Sequence, residues 1–551
     1  MRATNMKKAI TMTRIATLLT IALALFVTAT AYAAAPGITG PSFNLTAGPG
    51  ALTQPDGGMV YSWGYGCNGA PAGFAPAALP GTCGSMQVPG PTLIVTEGQP
   101  VSVTLTNNLP AAAGNTSILF PGFNVTASGG VAGLLTQEAE HSGTVTYTFT
   151  ASSPGTRSYY SGTQGDLQVE MGLYGAVIVL PATAPAACST GSSNGSGPLG
   201  FAGANGTAEA FWGERDFRLA PAAYDNAKTC YDREYLFQFA EMDQGIHAQA
   251  QAQVLAAGGC SAGVVGCSLS VATEPYHPSY FLINGRSMPD DMDPNYAAEY
   301  PHQPYNGDPH MHPGEQVLLR IIGQGRWQHP FHEHGNHVRI LGRDGNLIVS
   351  QSDATQLAGP LLFTTTTTPG LAMDGIFYWT GKGLNWDAYG HNPASMDPSA
   401  KLSCTPDPNG YNTSAPTAIN YYEWCQDHNK PVQAAPFGDV AAGGPVTLPD
   451  PNLLTNGAWF GGSPYLGPDA TLRATGCPAG SNAGPNAANC GATGTTPPSG
   501  TIANSPSTEA GFAFMWHSHN EREITTSNIF PGGMLMMMLV DSREFPIDET
   551  N

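Results

Sequence analysis

Residues 101–105, Val-Ser-Val-Thr-Leu, alternate apolar and polar side chains. That period belongs to a strand with one face in a core and the other in water. Comparable short apolar segments recur at 147–150, 172–179, 235–239, 280–285, 317–322, 338–341, 372–379, 511–516 and 533–540. The chain breaks between them at turns supplied by 68 glycines and 47 prolines, and only 11% of its residues are charged. Short strands at this spacing imply an all-β protein of Greek-key β-sandwich domains rather than a helical one. A stretch rich in Ala, Ser, Gly and Asn at 186–204 divides the chain into a first domain over 34–185 and a second over 205–545. Inside the second, residues 390–505 read as a long, poorly patterned loop insertion stapled by disulfides.

The first 33 residues have the form of an export signal. Lys7, Lys8 and Arg14 precede a mostly apolar run, and Ala31-Tyr32-Ala33 offers a small-x-small cleavage site. The mature chain is expected to start near Ala34, in the periplasm or outside the cell, and no later segment is apolar enough to span a bilayer. Ten cysteines, an even number, suit an oxidising compartment. Neighbour pairing would join Cys67 to Cys83, Cys188 to Cys230, Cys260 to Cys267, Cys404 to Cys425 and Cys477 to Cys490, although spacing leaves other connectivities open. A net charge of −20 argues against nucleic acid or an anionic membrane as a partner.

Four of the fourteen histidines fall in one nine-residue run, His329 to His337. On an extended chain His332 and His334 point to the same side. A second such pair, His517-Ser518-His519, ends the apolar segment 511–516. One His-x-His pair is more often a surface feature, but two on apolar strands favour a metal site, because neutral imidazole suits copper and zinc. If the strands are neighbours, four imidazoles converge. A third pair, His310 and His312, lies in a Pro-rich stretch and is the weaker candidate, and His337 has no assigned role. The methionines at 534 and 536–538 read as alternating core residues of a closing strand rather than as a copper relay.

The two histidine runs resemble the third and fourth copper motifs of the multicopper oxidases, H-P-x-H-x-H-G and H-C-H followed by H and G-M. Residues 88–107, 154–156 and 172–179 resemble the first cupredoxin domain of that family. Residues 280–285 with Pro289 resemble its F-x-I-N-G-x-x-x-P turn. The resemblance implies two cupredoxin-like domains, copper as cofactor, a small-molecule reductant and, for two-domain members, a homotrimer.

The chain departs from the family at its ligands. Leu119, Pro121, Tyr160 and Gly162 stand at the first-domain histidine positions. At the electron-transfer copper, His329 matches the first histidine and Met534 the axial residue. Ser518 replaces the thiolate there, Glu523 replaces the second histidine, and about six extra residues delay the Gly-Met pair. A blue-copper site and a complete trinuclear cluster are therefore not expected. The expectation is one mononuclear copper, or zinc, held by His332, His334, His517 and His519, with His329 grouped among the metal-binding residues and Glu333, Glu521 and Glu523 close in sequence. A non-catalytic structural or cell-surface protein is the alternative. An intact oxidase completed by another subunit ranks last.

Overall fold

The structure, a computed structural model, describes residues 35–77, 81–189, 218–312, 314–381, 406–413, 424, 462–466, 502–503, 510–541 and 547. The export segment, most of the linker and insertion, and the Cys404/Cys425 and Cys477/Cys490 pairs lie outside these residues. The other three neighbour pairs form disulfides.

The first domain is a sandwich of two five-stranded sheets. One runs in the order Gly155–Tyr160, Tyr174–Leu180, Leu93–Thr96, Gly37–Thr39, Phe74–Ala75. The other runs Met59–Cys67, Ser42–Thr53, Pro100–Asn107, Thr144–Thr150, Thr126–Gly129. Alternation decides which face is buried. Val101, Val103 and Leu105 are buried and stand opposite Phe149, Tyr147 and Val145, so apolar side chains meet across the pair. Parallel pairing of Ser42–Thr53 with Pro100–Asn107, and of Tyr174–Leu180 with Leu93–Thr96, gives the crossovers of a Greek key.

The second domain has two seven-stranded sheets. The first contains Tyr280–Ile283, Arg233–Met242, Gln316–Gly323, Ala372–Tyr378, Val338–Arg343 and Asn346–Leu347 in that order, with Leu361–Leu362 also on Val338–Arg343. The second runs His310–Met311, Leu535–Asp541, Ala510–Ser518, His329–Glu333, Thr364–Thr367. The insertion is not wholly loop, since Gly462–Leu466 pairs antiparallel with Ala510–Ser518 and parallel with Ile502–Ala503. Met534, Met536 and Met538 are fully buried with Phe514, Trp516 and Phe331, which is the core role expected of them.

Two features join the domains. The helix Gln244–Ala257, absent from the sequence expectation, leaves the second domain and buries Ile246 and Ala250 in the core of the first. Asp243 caps it by accepting from the amide of Gly245 at 2.8 Å. At the second contact, Asp374 of the second domain accepts from the amide and hydroxyl of Thr156 at 3.0 and 2.6 Å, and from the Tyr224 hydroxyl at 2.6 Å. Arg320, paired with Glu234 at 2.8 Å, also donates to Thr156. Among the described residues no helix is long and apolar enough to cross a membrane.

Candidate metal centre

The strands His329–Glu333 and Ala510–Ser518 are antiparallel neighbours, and their register sets His332 directly opposite His517. Opposed residues share a face, so both imidazoles leave the sheet on the same side. His334 and His519, one step past each strand, complete a group of four. Ring centroids are 4.9 Å apart for His332 and His334, 4.9 Å for His332 and His519, 5.1 Å for His334 and His517, and 5.6 Å for His332 and His517. The Nε2 atoms of His334 and His517 face each other at 3.2 Å. That spacing serves a hydrogen bond, or two ligands each at about 2.0–2.1 Å from one shared ion.

The other ring atoms are held from behind. Nδ1 of His332 is hydrogen-bonded to the Thr364 hydroxyl at 2.8 Å, and Nδ1 of His517 to the carbonyl of Ser518 at 2.8 Å. Burial, and then the neighbouring imidazoles, push His332 down to about 4, and burial lowers His517 as well. Both rings are thus neutral at neutral pH. His519 is the open side of the group, with 55% of its side chain exposed. His337 packs on Phe363, which also touches His332. As the side chains stand, no group of three or more His, Cys, Asp or Glu among the described residues is arranged to hold a metal ion.

His329 does not join this group. It is three residues from His332, so alternation sends it to the opposite face, into the space between the sheets. There it is fully buried between two carboxylates. Nε2 lies 2.9 Å from Glu241, and Nδ1 lies 3.0 Å from Glu523. The second contact is poorly aligned for a hydrogen bond, and we count it as an ion pair. Burial pulls the imidazole down, but the two glutamates outweigh it and raise His329 to about 9, so the ring is an imidazolium at neutral pH. Ser518 donates its hydroxyl to Glu523, and Asn520 donates to the same carboxylate at 2.9 Å. Met534 is bound through its backbone, donating to the Glu523 carbonyl at 2.7 Å and accepting from the Ser518 amide at 2.9 Å.

The four residues matched to an electron-transfer copper, His329, Ser518, Glu523 and Met534, therefore do meet. They do not fit that metal. A protonated imidazole has no free lone pair, a hydroxyl replaces the thiolate, and hard carboxylates fill the rest. His329, grouped with the metal-binding histidines from the sequence, stands apart from the other four and pairs with Glu241 and Glu523. Glu241 gave no sequence signal as a site residue, being 88 positions from His329 and inside an ordinary strand. From Glu241 the polar contacts run on to the Tyr276 hydroxyl at 3.1 Å, and from there to Glu170 of the first domain at 2.6 Å. Burial lifts Glu170 to about 8.

The remaining candidates lie elsewhere. Glu333 is buried against Thr365 and lifted to about 8 by burial, so it is a neutral acid rather than an anionic ligand. Glu521 is exposed, 4.0 Å from His519. His310 sits in the short strand His310–Met311, not in a loop, with Nε2 3.2 Å from Asp308. His312 is fully buried, and its amide donates to Glu315 at 2.8 Å. In the first domain, Leu119 and Tyr160 pair through their backbones, and a Cβ added to Gly162 would meet the Leu119 side chain at 2.8 Å. Leu119, Tyr160 and Gly162 line an interdomain cleft of about 310 Å³ with Val169, Gln324 and Gly370. Leu119 packs against Gly162 at that cleft, and neither residue carries an imidazole.

Residues 82–184 match the sequence model of the family described as multicopper oxidase. Similar solved structures include the multicopper oxidase mgLAC, at 14% identity over 92% of this chain and 88% of that one, with a TM-score of 0.44. A blue copper oxidase from Nitrosomonas europaea is 18% identical over 61% of this chain and 74% of its own, with a TM-score of 0.37. A copper nitrite reductase from the same organism is 18% identical over 62% and 84%, also with a TM-score of 0.37. No curated protein matches the chain. Over residues 82–184, then, the chain is multicopper-oxidase-like, and it is built of cupredoxin-type β-sandwiches.

Proposed function

We propose that this protein is exported and binds a single copper ion through His332, His334, His517 and His519, without a blue-copper site or a trinuclear cluster. One observation carries the reading: two adjacent strands direct four imidazoles to one face, with two Nε2 atoms 3.2 Å apart. Neutral imidazoles favour copper and also accept zinc. Copper there would exchange single electrons with a small-molecule reductant. The chain's own residues hold the rings in place, through Thr364 behind His332 and the Ser518 carbonyl behind His517. The family resemblance adds a homotrimer, which sedimentation of the mature protein would check.

The experiment is metal analysis with absorption and electron paramagnetic resonance spectra on copper-reloaded protein. The expected result is one copper per chain with no intense thiolate absorption, and loss of that copper in a His332→Ala/His517→Ala double variant. Failure of wild-type protein to retain copper or zinc would favour a second reading, a structural protein that kept the fold and lost the chemistry. The ion cluster at His329 and the leucine-filled first-domain position are the observations on that side.

A further inference from the structure

The acidic segment Asp290-Asp291-Met292-Asp293 forms a short 3₁₀ turn beside the edge of the sheet that carries the histidines. Asp308 approaches it from the chain leading into the strand His310–Met311, and the Gly307 amide donates to the Asp291 carbonyl at 2.6 Å. Asp291 is completely buried, and neither of its carboxylate oxygens has a hydrogen-bond partner. Asp308 is 6% exposed. Its Oδ2 is taken by His310, whereas Oδ1 is buried without a partner.

Two buried carboxylates presenting three unpartnered oxygens are costly unless something positive reaches them. The neighbouring cation Arg286 is felt by Asp291 as a charge but gives it no hydrogen bond. Arg286 directs its guanidinium at the carbonyls of Gln303, Asp293 and Pro294, at 2.8, 2.9 and 3.2 Å, and lies over the Tyr300 ring. Asp290, Asp291 and Asp293 thus share one guanidinium, most of whose hydrogen bonds go to backbone carbonyls.

We propose that Asp291 and Asp308 hold a hard divalent cation of the calcium class. Carboxylate oxygens, with backbone carbonyls and water to complete the shell, are the donors such an ion prefers. His310 fits as the group that orients Asp308 from behind, which gives the third His-x-His pair a role other than ligation. Burial raises Asp291 well above the ordinary carboxylate range, and the Asp308 charge adds to this. A proton is accordingly the competitor for the same position. The site is separate from the histidine group. His310 stands opposite Leu539, and His517 opposite Leu535 one strand further in. Four residues along a strand are roughly 13 Å.

The test uses the whole mature protein, stripped with EDTA and melted with and without calcium chloride. At a hundred-fold excess over Kd, calcium should raise the Tm by about 2–3 °C. The rise should persist in the His332→Ala/His517→Ala variant and vanish in both Asp291→Asn and Asp308→Asn. Both changes are isosteric, and without calcium Asp291→Asn replaces a carboxyl that burial already holds protonated, so it should melt no lower than wild type in EDTA. Absence of a calcium shift in wild-type protein would overturn the proposal, leaving a proton at Asp291. An equal shift in wild type and both Asn variants would also overturn it, because calcium would then bind elsewhere.

Discussion

His329 and His332 stand three residues apart on one strand and have opposite chemistry. His332 looks out among imidazoles, and burial with like neighbours holds it neutral. His329 looks in between Glu241 and Glu523, and despite equal or greater burial it keeps its proton. The residue type is the same, and the partners decide. On the outer face a ring nitrogen keeps a lone pair for a metal, whereas on the inner face both nitrogens serve carboxylates. A strand's two faces have thus divided what the sequence presents as one histidine motif.

The change with the largest expected effect rebuilds the inner site. Because His329, Ser518, Glu523 and Met534 already meet, the double variant Ser518→Cys/Glu523→His should acquire an intense visible thiolate–copper absorption on copper loading, where wild type has none. No such band in a folded variant would mean that the four positions only superficially follow the family's arrangement. The next change breaks the ion cluster. Glu523→Ala strands a buried imidazolium beside one carboxylate and should cost about 3–5 kcal/mol in urea denaturation. His332→Ala on the outer face strands no charge and should cost about 1 kcal/mol. Equal losses would erase the distinction between the faces.

The two faces should also separate by pH. His329 is raised from 6.5 to about 9, so its stabilisation is complete below pH 6.5 and is lost as pH rises through 9. Its size is of order 3 kcal/mol. Glu170 and Glu333, both raised to about 8, lose theirs between about 4.5 and 8, in the same direction. His332 and His517 are lowered, so their contribution is lost as pH falls below 6.5. Thermal melts should therefore show a steady decline above pH 6.5. A flat profile from 6.5 to 9 would remove the imidazolium from the inner cluster.

Much of this was legible before the fold was known. Alternation at 101–105 named the buried face correctly, and the two His-x-His pairs lie on neighbouring strands with His332 opposite His517. The matched quartet His329, Ser518, Glu523 and Met534 also assembles across just over two hundred residues. The separation of His329 from the other histidines was legible too. An odd spacing from His332 places it on the other face, and Ser518, between two outward histidines, points inward for the same reason. Other features had no local signal. Glu241 sits in a strand whose ten residues are all buried, so nothing in its neighbourhood marks it as a partner for a distant histidine. The helix Gln244–Ala257 carries a run of alternating Gln and Ala that shows no strong apolar stripe, and only Asp243 at its cap announces it. Its burial comes from docking into the other domain, a tertiary fact.

The smallest effect expected on the inner face is at the far end of its cluster. The Tyr276 hydroxyl lies between Glu170 at 2.6 Å and Glu241 at 3.1 Å, and so connects the first domain to the carboxylate that holds His329. One hydroxyl proton cannot serve both glutamates fully at once. Glu170, lifted to about 8 by burial, carries its own proton at neutral pH and can supply the second hydrogen bond. Glu241 also accepts from the amides of Arg326 and Trp327, at 2.6 and 2.9 Å, and keeps those donors when the hydroxyl is gone. Tyr276→Phe should therefore cost only about 1–2 kcal/mol and leave the His329 titration near 9. The imidazole resonances of His329, followed by NMR against pH, would check this. A fall of the titration toward 6.5 in Tyr276→Phe would mean that the hydroxyl, rather than the Glu241–Glu523 pair, keeps the inner histidine charged.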